Sequence, residues 1–190
     1  MGCVTGLLMA SLTPNCVVPN FSGLESDAYL FNSDDIASVT RIGNAMTFTM
    51  KAGKKGYRVT VDGSTPYNGT NSALTIGEYS KKFTKTLAFA YQNSGATPAS
   101  NVNTLVNGKF VAIVENKRKG ATVGAGDNAF LIIGIEKPLL VTAVTKDYVA
   151  EGQEGATLIT MTTTEPTFEC YWDGSSYDAS KSAVSAIVNL

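Results

Sequence analysis

Hydrophobic and polar residues alternate with a period of two over two neighbouring stretches of the chain, residues 46–50 and 57–61. Alternation of this kind places the apolar side chains on one face of a β-strand and the polar side chains on the other. The intervening residues include Gly53 and Gly56, which favour a turn. The pattern therefore predicts a β-hairpin with its tip at residues 51–56 and with one polar, accessible face.

Further strands are predicted on both sides of this segment. An apolar run over residues 27–32 is followed by a turn at 33–35, and residues 63–72 have the composition of a loop. In the stretch 82–92, one face carries Phe83, Leu87, Phe89 and Tyr91. Residues 109–114 and 129–135 are apolar on both faces, which is typical of central strands. The remaining predicted strands are 74–79, 139–145, 156–164 and 168–172.

Two segments carry helix signals. Residues 97–107 have Thr97 as a potential N-cap, Pro98 in the first turn and Gly108 after the end, and Val102, Leu105 and Val106 form an apolar stripe. A shorter C-terminal helix is predicted over 179–188, with Asp178 as its cap. The whole pattern predicts a mainly-β fold: a β-sandwich or barrel of about nine to eleven strands with one or two short helices. We predict an extended N-terminal arm over residues 1–24 and a single domain over residues 25–190.

Composition narrows the classes of function. The chain has 190 residues, 44% hydrophobic and 16% charged, with a formal net charge of −1 and no histidine. Near-neutral charge argues against a nucleic-acid-binding or membrane-binding surface. The lack of histidine excludes Ser-His-Asp and Cys-His catalytic systems and histidine-containing metal sites. The cysteines, Cys3, Cys16 and Cys170, lack the paired spacing of a zinc site. We interpret them as reduced thiols, with a Cys3–Cys16 bridge as the alternative.

The N-terminal residues do not match a targeting signal. Position six is Gly6, where a myristoylation signal has Ser or Thr, and the first basic residue is Arg41, whereas a secretory signal opens with basic residues. No run of apolar residues approaches the ~20 that a membrane-spanning helix needs. The sequence therefore predicts no membrane partner.

Several groups of residues are candidates for chemistry. The glycine-rich stretch 120–126 lacks the Gly-Lys-Ser/Thr of a phosphate loop and is followed by Asp127, so we interpret it as a surface loop. A hydrolase without histidine would need two carboxylates in an aromatic cleft, yet the chain has a single tryptophan, Trp172. We interpret the carboxylates as solvated turn and strand-end charges, and the segments 34–35 and 173–178 lack a calcium-loop pattern. The candidate carboxylates are Asp34, Asp35, Glu115, Glu165, Glu169 and Asp173.

Two clusters of basic residues have two interpretations. They are either a solvated strand end and loop or surfaces matched in charge to an acidic surface on another subunit. The clusters are Lys81, Lys82 and Lys85, and Lys117, Arg118 and Lys119.

Several stretches carry a resemblance to a known family. They are residues 27–36, the predicted helix 97–107 leading into 109–116, the strand at 127–135, the stretch 139–148, and residues 155–166, where a threonine-rich strand runs into Glu165-Pro166. In this order, residues 27–190 resemble the tail-tube (major tail) proteins of long-tailed bacteriophages, in particular those of phages infecting Bacteroides-type hosts.

The resemblance implies a subunit that assembles, commonly as hexameric rings, into a tail tube through which the genome is ejected. Implied partners are the chain itself, other tail proteins (tape measure, terminator, hub or adaptor) and passing double-stranded DNA bound without sequence specificity. The implied location is the virion tail, after synthesis in the bacterial host cytoplasm. The resemblance implies no catalytic, metal or cofactor site. Candidate contact segments are 1–24, 51–56, 63–72 and 115–127.

A conduit should not hold phosphates tightly, so we expect a neutral to acidic lumen formed by the polar faces of long strands. Three alternatives stay open. They are a tail ring or adaptor protein (connector or terminator) near the portal, a virion decoration or glycan-binding β-sandwich module, and a carboxylate hydrolase.

Overall fold

A computed structural model describes residues 23–61, 66–78, 80–92, 95–117, 129–149 and 155–189. Strands make up 53% of the described residues and helices 17%. The two α-helices are α1 (Ala96–Val106) and α2 (Tyr177–Ala186), and a 3-10 turn covers Ser33–Asp35. The twelve strands are β1 (Leu24–Asn32), β2 (Ile36–Ile42), β3 (Ala45–Met50), β4 (Gly56–Thr60), β5 (Asn71–Ile76), β6 (Lys81–Tyr91), β7 (Phe110–Asn116), β8 (Phe130–Ile133), β9 (Leu140–Lys146), β10 (Thr157–Glu165), β11 (Cys170–Trp172) and β12 (Val188–Asn189).

The strands form two open sheets that pack face to face. Sheet A has eight strands in the order β12-β4-β1-β7-β8-β11-β3-β2, and sheet B has four in the order β5-β6-β10-β9. One core cluster combines side chains of both sheets, including Leu30 and Val114 from sheet A and Leu87 and Met161 from sheet B. This arrangement confirms the predicted mainly-β sandwich. One strand beyond the predicted range is the two-residue β12, which lies where the sequence predicts the end of the C-terminal helix.

The central strands of sheet A are buried on both faces, as predicted. Successive residues of β7 belong alternately to the core shared with sheet B and to a second core on the opposite face. The second core is closed by Val184 of α2 and by aromatic contacts, in which Phe48 of β3 meets Phe31 and Trp172 edge to face at 5.0 and 5.2 Å. Trp172 is therefore a core residue rather than part of a cleft.

The predicted hairpin between residues 46–50 and 57–61 is wrong. Both stretches contain strands, but β3 pairs with β2 and β11, whereas β4 pairs with β1 and β12. The turn that joins β2 and β3 has Gly43 in the left-handed region, at φ 63°. Alternation predicts that a segment is a strand and which face is buried, but it carries no information on the partner strand. Residues 51–55 are instead a connection between distant parts of sheet A.

Both helices begin at different caps from those predicted. The N-cap of α1 is Gly95, which gives no side-chain cap, and the N-cap of α2 is Ser176, whose hydroxyl accepts a hydrogen bond from the amide of Ala179. Val102 and Leu105 of α1 pack against the core shared by the sheets, whereas Val106 is exposed. The predicted arm at residues 1–24 lies, apart from Gly23 and Leu24, outside the described residues.

Candidate functional site

Sheet B presents a threonine- and alanine-rich face away from the core. Along β10, alternate residues from Thr157 to Glu165 are buried, so the residues between them face outward. Their cross-strand partners on β6 share that face. These outward pairs are Leu158–Ala90, Thr160–Ala88, Thr162–Thr86 and Thr164–Thr84. We call this surface the outer face of sheet B.

The outer face of sheet B is almost free of charge. The flanking strands add Ala73 and Thr75 from β5 and Ala143 and Thr145 from β9 in the same register. Lys82, the partner of Thr75, is the only charged side chain on this face among the residues that the structure describes. A surface of hydroxyl and methyl groups has few groups that bind phosphate strongly.

Both edge strands of sheet B are exposed and carry apolar side chains. On β5, Leu74 and Ile76 are 53% and 70% exposed, and on β9, Leu140 and Val144 are also exposed. Just beyond β9, Tyr148 and Val149 are 81% and 88% exposed. Among the described residues, no strand pairs with the outer side of β5 or of β9, although α1 contacts β9. Sheet edges that are unpaired and carry apolar side chains are surfaces on which another chain can add a strand. These residues were not predicted from the sequence. Their signal was a Tyr-Val pair next to charged residues, which favours an exposed apolar segment.

The edges of sheet A differ from those of sheet B. The two-residue β12 pairs with only Gly56 and Tyr57 of β4, and the other edge, β2, exposes Val39 and Ile42. Arg41 of β2 is held by Glu136 and by the hydroxyl of Thr167, at 2.8 Å for the latter. One end of β2 is thus tied to the turn that follows β10.

Lys85 fits neither interpretation of its basic cluster, because it is not at the surface. Its Nζ lies 2.6 Å from Glu165 Oε2, and both side chains are buried. Neither of these two atoms has a well-oriented hydrogen bond within the described part of the chain, so Coulomb attraction holds the pair. Glu165 Oε1 accepts a hydrogen bond from the amide of Glu136 at 2.8 Å. Lys81 and Lys82 are exposed, so the structure separates the members of this cluster.

Glu115 is also buried, and the burial of Glu115 and Glu165 corrects their interpretation as solvated charges. Its carboxylate accepts hydrogen bonds from the Tyr177 hydroxyl at 2.5 Å and from Lys181 Nζ at 2.9 Å. Burial and the hydrogen bond to Glu115 raise the pKa of Tyr177. For Lys181, burial lowers the pKa, but hydrogen bonds to Glu115 and Tyr177 outweigh burial and raise it. These contacts attach α2 to β7 of sheet A.

The other candidate carboxylates lie apart. Asp35 contacts Asn32 and Lys54, and Glu169 accepts a hydrogen bond from Tyr171. Asp34 and Asp173 are exposed. No group of three or more metal-ligating side chains occurs within the described ranges. Glu115 and Glu165, the two buried candidates, are each neutralised by a lysine of the same chain.

A groove lies between residues 66–72, at the start of β5, and residues of β1, β7 and β8 in sheet A. Its volume is about 460 Å³, and its lining includes Leu24, Leu131 and Ile133 on the apolar side and Asn68, Asn71, Lys117 and Glu169 on the polar side. Tyr67 also lines it and has a left-handed backbone, at φ 59°, which is uncommon outside glycine. Burial raises the pKa of Tyr67, whose hydroxyl donates to the carbonyls of Val59 and Ser26. We call this the β5 groove.

The remaining candidates are in part outside the described residues. Those outside are Cys3, Cys16, Arg118, Lys119 and the glycine-rich stretch 120–126. Cys170 is a buried free thiol, and burial raises its pKa. Of the predicted contact segments, residues 23–24, 51–56, 66–72 and 115–117 are described, and parts of all but 51–56 line the β5 groove.

Comparison with protein-family models, curated proteins and solved structures finds no match to this chain. In the described ranges, neither helix has the length and apolar character needed to cross a membrane. Function is therefore inferred from the two sheets, their edges and the resemblance described above.

Proposed function

We propose that this chain is a structural subunit of a bacteriophage virion that self-assembles into rings and a tube in the tail, the conduit for genome ejection. One observation carries the proposal: sheet B has two exposed edge strands, β5 and β9, and each bears apolar side chains in contact with solvent. Such edges do not stabilise a free monomer. They favour association, because an unpaired strand edge can pair with a strand of another chain.

A ring or tube requires head-to-tail pairing between copies, and the two different edges of sheet B provide the two surfaces for it. The β9 edge of one copy joins the β5 edge of the next, and the second copy offers its own β9 edge in turn. Repeated contacts of this kind close into a ring when the rotation per copy divides a full turn, and otherwise form a filament. A hexamer is the order that the resemblance implies.

The outer face of sheet B suits the wall of a DNA conduit. Each phosphate neutralised by a protein cation adds salt-dependent affinity, which would slow passage of the genome. The threonine side chains at Thr84, Thr86, Thr160 and Thr162 add no such charge. We therefore assign this face to the lumen, for which a neutral to acidic lining was expected, although the one charged side chain that the described residues place on it, Lys82, is a cation. DNA passes it without sequence-specific contacts.

Pairing through the same edges would also suit a ring or adaptor protein near the portal. The stacking of rings distinguishes a tube subunit from such an adaptor. A tube subunit stacks into long tubes, whereas an adaptor stops at single rings. In either role the chain acts with other tail proteins in the virion, and it acts as a structural protein rather than as an enzyme. A decoration module would not need the two edges of sheet B.

The proposal is tested by placing lysines on one edge of sheet B. The double substitution Leu74→Lys and Ile76→Lys puts charges on β5, and we expect it to weaken self-association roughly tenfold or more in sedimentation velocity experiments. The matched control is Val39→Lys and Ile42→Lys on β2, since exposure of these residues is 47% and 70%, against 53% and 70% for the β5 pair. Equal weakening by both pairs would count against pairing through sheet B.

A further inference from the structure

We infer that Tyr148 and Val149 of one copy occupy the β5 groove of the next copy. The inference rests on the proposed assembly and identifies a side-chain contact between neighbouring copies. Tyr148 and Val149 are the most exposed large hydrophobic side chains among the described residues. The β5 groove has a mixed polar and apolar lining, in which Leu24 and Leu131 are partly exposed, and a volume of about 460 Å³. Cavities of roughly 300–1,000 Å³ are the size that buries a bound group.

Strand polarity brings these two features together. Within sheet B every neighbouring pair is antiparallel, so β5 and β10 run in one direction and β6 and β9 in the other. A β9 strand that joins the β5 strand of the next copy continues this alternation. In the resulting antiparallel pair, the end of β9 lies beside the start of β5.

The lengths of the two strands fix where the tip of β9 arrives. Strand β5 covers Asn71–Ile76 and β9 covers Leu140–Lys146, so nearly full overlap places Lys146 beside the residue preceding Asn71. The chain beyond β9 then runs antiparallel to residues 67–70 of the neighbour. Asn68, Gly69 and Thr70 all line the β5 groove. Tyr148 and Val149 reach its mouth in this register.

Neither surface carries a net charge that would oppose the contact. The rim of the groove carries one cation, Lys117, and one anion, Glu169. The tip carries one anion, Asp147, and one cation, Lys146, whose Nζ lies 5.2 Å from the centroid of the Tyr148 ring. Seating the Tyr148 ring in the groove would remove water from this cation–π contact, and removal of water strengthens such contacts. Aromatic side chains seated in a neighbour's pocket are frequent hot spots of association.

Site-directed cross-linking tests the contact directly. Val149→Cys and Asn68→Cys are combined in one chain, with Cys3→Ser and Cys16→Ser, so that Tyr148 stays in place. A bis-maleimide with a reach below about 10 Å cannot join the two sites within one copy, since β9 and β5 are three strand spacings of about 4.8 Å apart. We expect a ladder of covalent dimers, trimers and higher species on denaturing gels. The control pairs Val149→Cys with Ser182→Cys on the exposed side of α2.

Each result bears on the inference. Rings on negative-stain grids with a ladder from the Val149–Asn68 pair alone would support it. Rings without that ladder would overturn the groove contact and leave the proposed tube standing. Failure of the protein to associate at its highest soluble concentration, with or without polyethylene glycol, would overturn both.

A substitution gives a second readout. Tyr148→Ala should weaken self-association about thirtyfold, the loss typical of an aromatic hot spot, while the melting temperature of the monomer stays unchanged. A melting temperature lowered together with association would instead mean that Tyr148 supports the fold.

Discussion

Lys85 lies on the buried face of β6, where period-two patterning places only apolar residues. It occupies the same face as Phe83 and Leu87, and its ammonium group pairs with Glu165 across the strands. A buried ion pair contributes little net stability, because desolvation offsets the attraction between the charges. Removal of only one partner is strongly destabilising, because it leaves an unpaired charge in the core.

We therefore predict that Lys85→Met destabilises the protein by about 3–5 kcal/mol in urea unfolding. The double variant Lys85→Met and Glu165→Gln should recover much of this loss, because glutamine keeps an acceptor for the Glu136 amide without a buried charge.

The matched control for this pair is Lys82→Met, which changes an exposed lysine on the outer face of sheet B. We expect it to change the free energy of unfolding by less than about 0.5 kcal/mol, because no buried carboxylate loses its partner. Equal losses in Lys85→Met and Lys82→Met would contradict the role given to the buried pair.

Asp35 gives a prediction on pH dependence. A hydrogen bond from Asn32 and the nearby Lys54 hold the pKa of Asp35 below its ordinary value of 3.8. A lowered pKa in the folded state means that the ionised form stabilises the fold above pH 3.8, and that this contribution is lost as the pH falls through the folded-state pKa. Asp35→Asn should therefore lower the melting temperature at about pH 7, and the difference from wild type should shrink as the pH falls below that ordinary value. A difference that is constant across this range would contradict the argument.

Cys170 is the thiol whose behaviour the structure predicts. It is buried, and burial raises its pKa, so little reactive thiolate forms near neutral pH. In peptide mass spectrometry after iodoacetamide treatment, we expect Cys170 to be modified only when the protein is unfolded. Modification of Cys170 in the native protein would show that β11 opens readily.

At the scale of elements, α2 is attached to sheet A by a polar group as well as by apolar packing. Tyr177 stacks on Phe130 with 5.8 Å between ring centroids, and its hydroxyl donates to Glu115. Val184 fills the second core from the same helix. The helix thus covers a face of sheet A that would otherwise expose apolar residues of β7 and β8.

Tyr177→Phe removes the hydroxyl and keeps the ring. Because the hydrogen bond is made to a buried carboxylate, we expect a loss of about 1.5–3 kcal/mol in the free energy of unfolding. The matched control is Tyr57→Phe on the exposed side of β4, for which a change below about 0.5 kcal/mol is expected. Similar stabilities for the two variants would mean that the Glu115 group contributes little.

The strands also show which structural features the sequence patterns can predict. Residues 109–114 and 129–135 are apolar on both faces, and they contain the doubly buried strands β7 and β8 as predicted. The partner of β3 could not be predicted, because any strand with a matching apolar face satisfies the same pattern. Burial of Lys85 was signalled by its position between Phe83 and Leu87, but its pairing with Glu165 depends on the register of β6 and β10.

At the scale of the whole molecule, the two sheets differ in which of their faces are covered by other parts of the chain. Sheet A is covered on both faces along its centre, whereas sheet B is covered on one face and offers a nearly uncharged surface on the other. The near neutrality of this surface across four strands follows from the registers of the strands, which the sequence pattern alone does not predict. The proposed lumen depends on that property.

A charge placed on the outer face of sheet B tests the assignment of the lumen. Thr162→Lys adds one cation per copy, so an assembled ring would gather several and retain double-stranded DNA at low salt. Lys82 already supplies one cation per copy on this face, so we expect weak retention by wild type and stronger retention by the variant in a filter-binding assay, lost for both as salt is raised. Thr40→Lys on the exposed β2 strand is the control. Equal retention by both variants would place the outer face of sheet B away from the channel.

The central claim is that copies of this chain join through sheet B into a ring with an open lumen. Negative-stain microscopy of the purified protein over a concentration series, with its mass in solution recorded alongside, tests this most directly. We expect closed rings or stacked tubes that become more abundant with concentration. A monodisperse monomer at every concentration, with no ring on any grid, would contradict the claim.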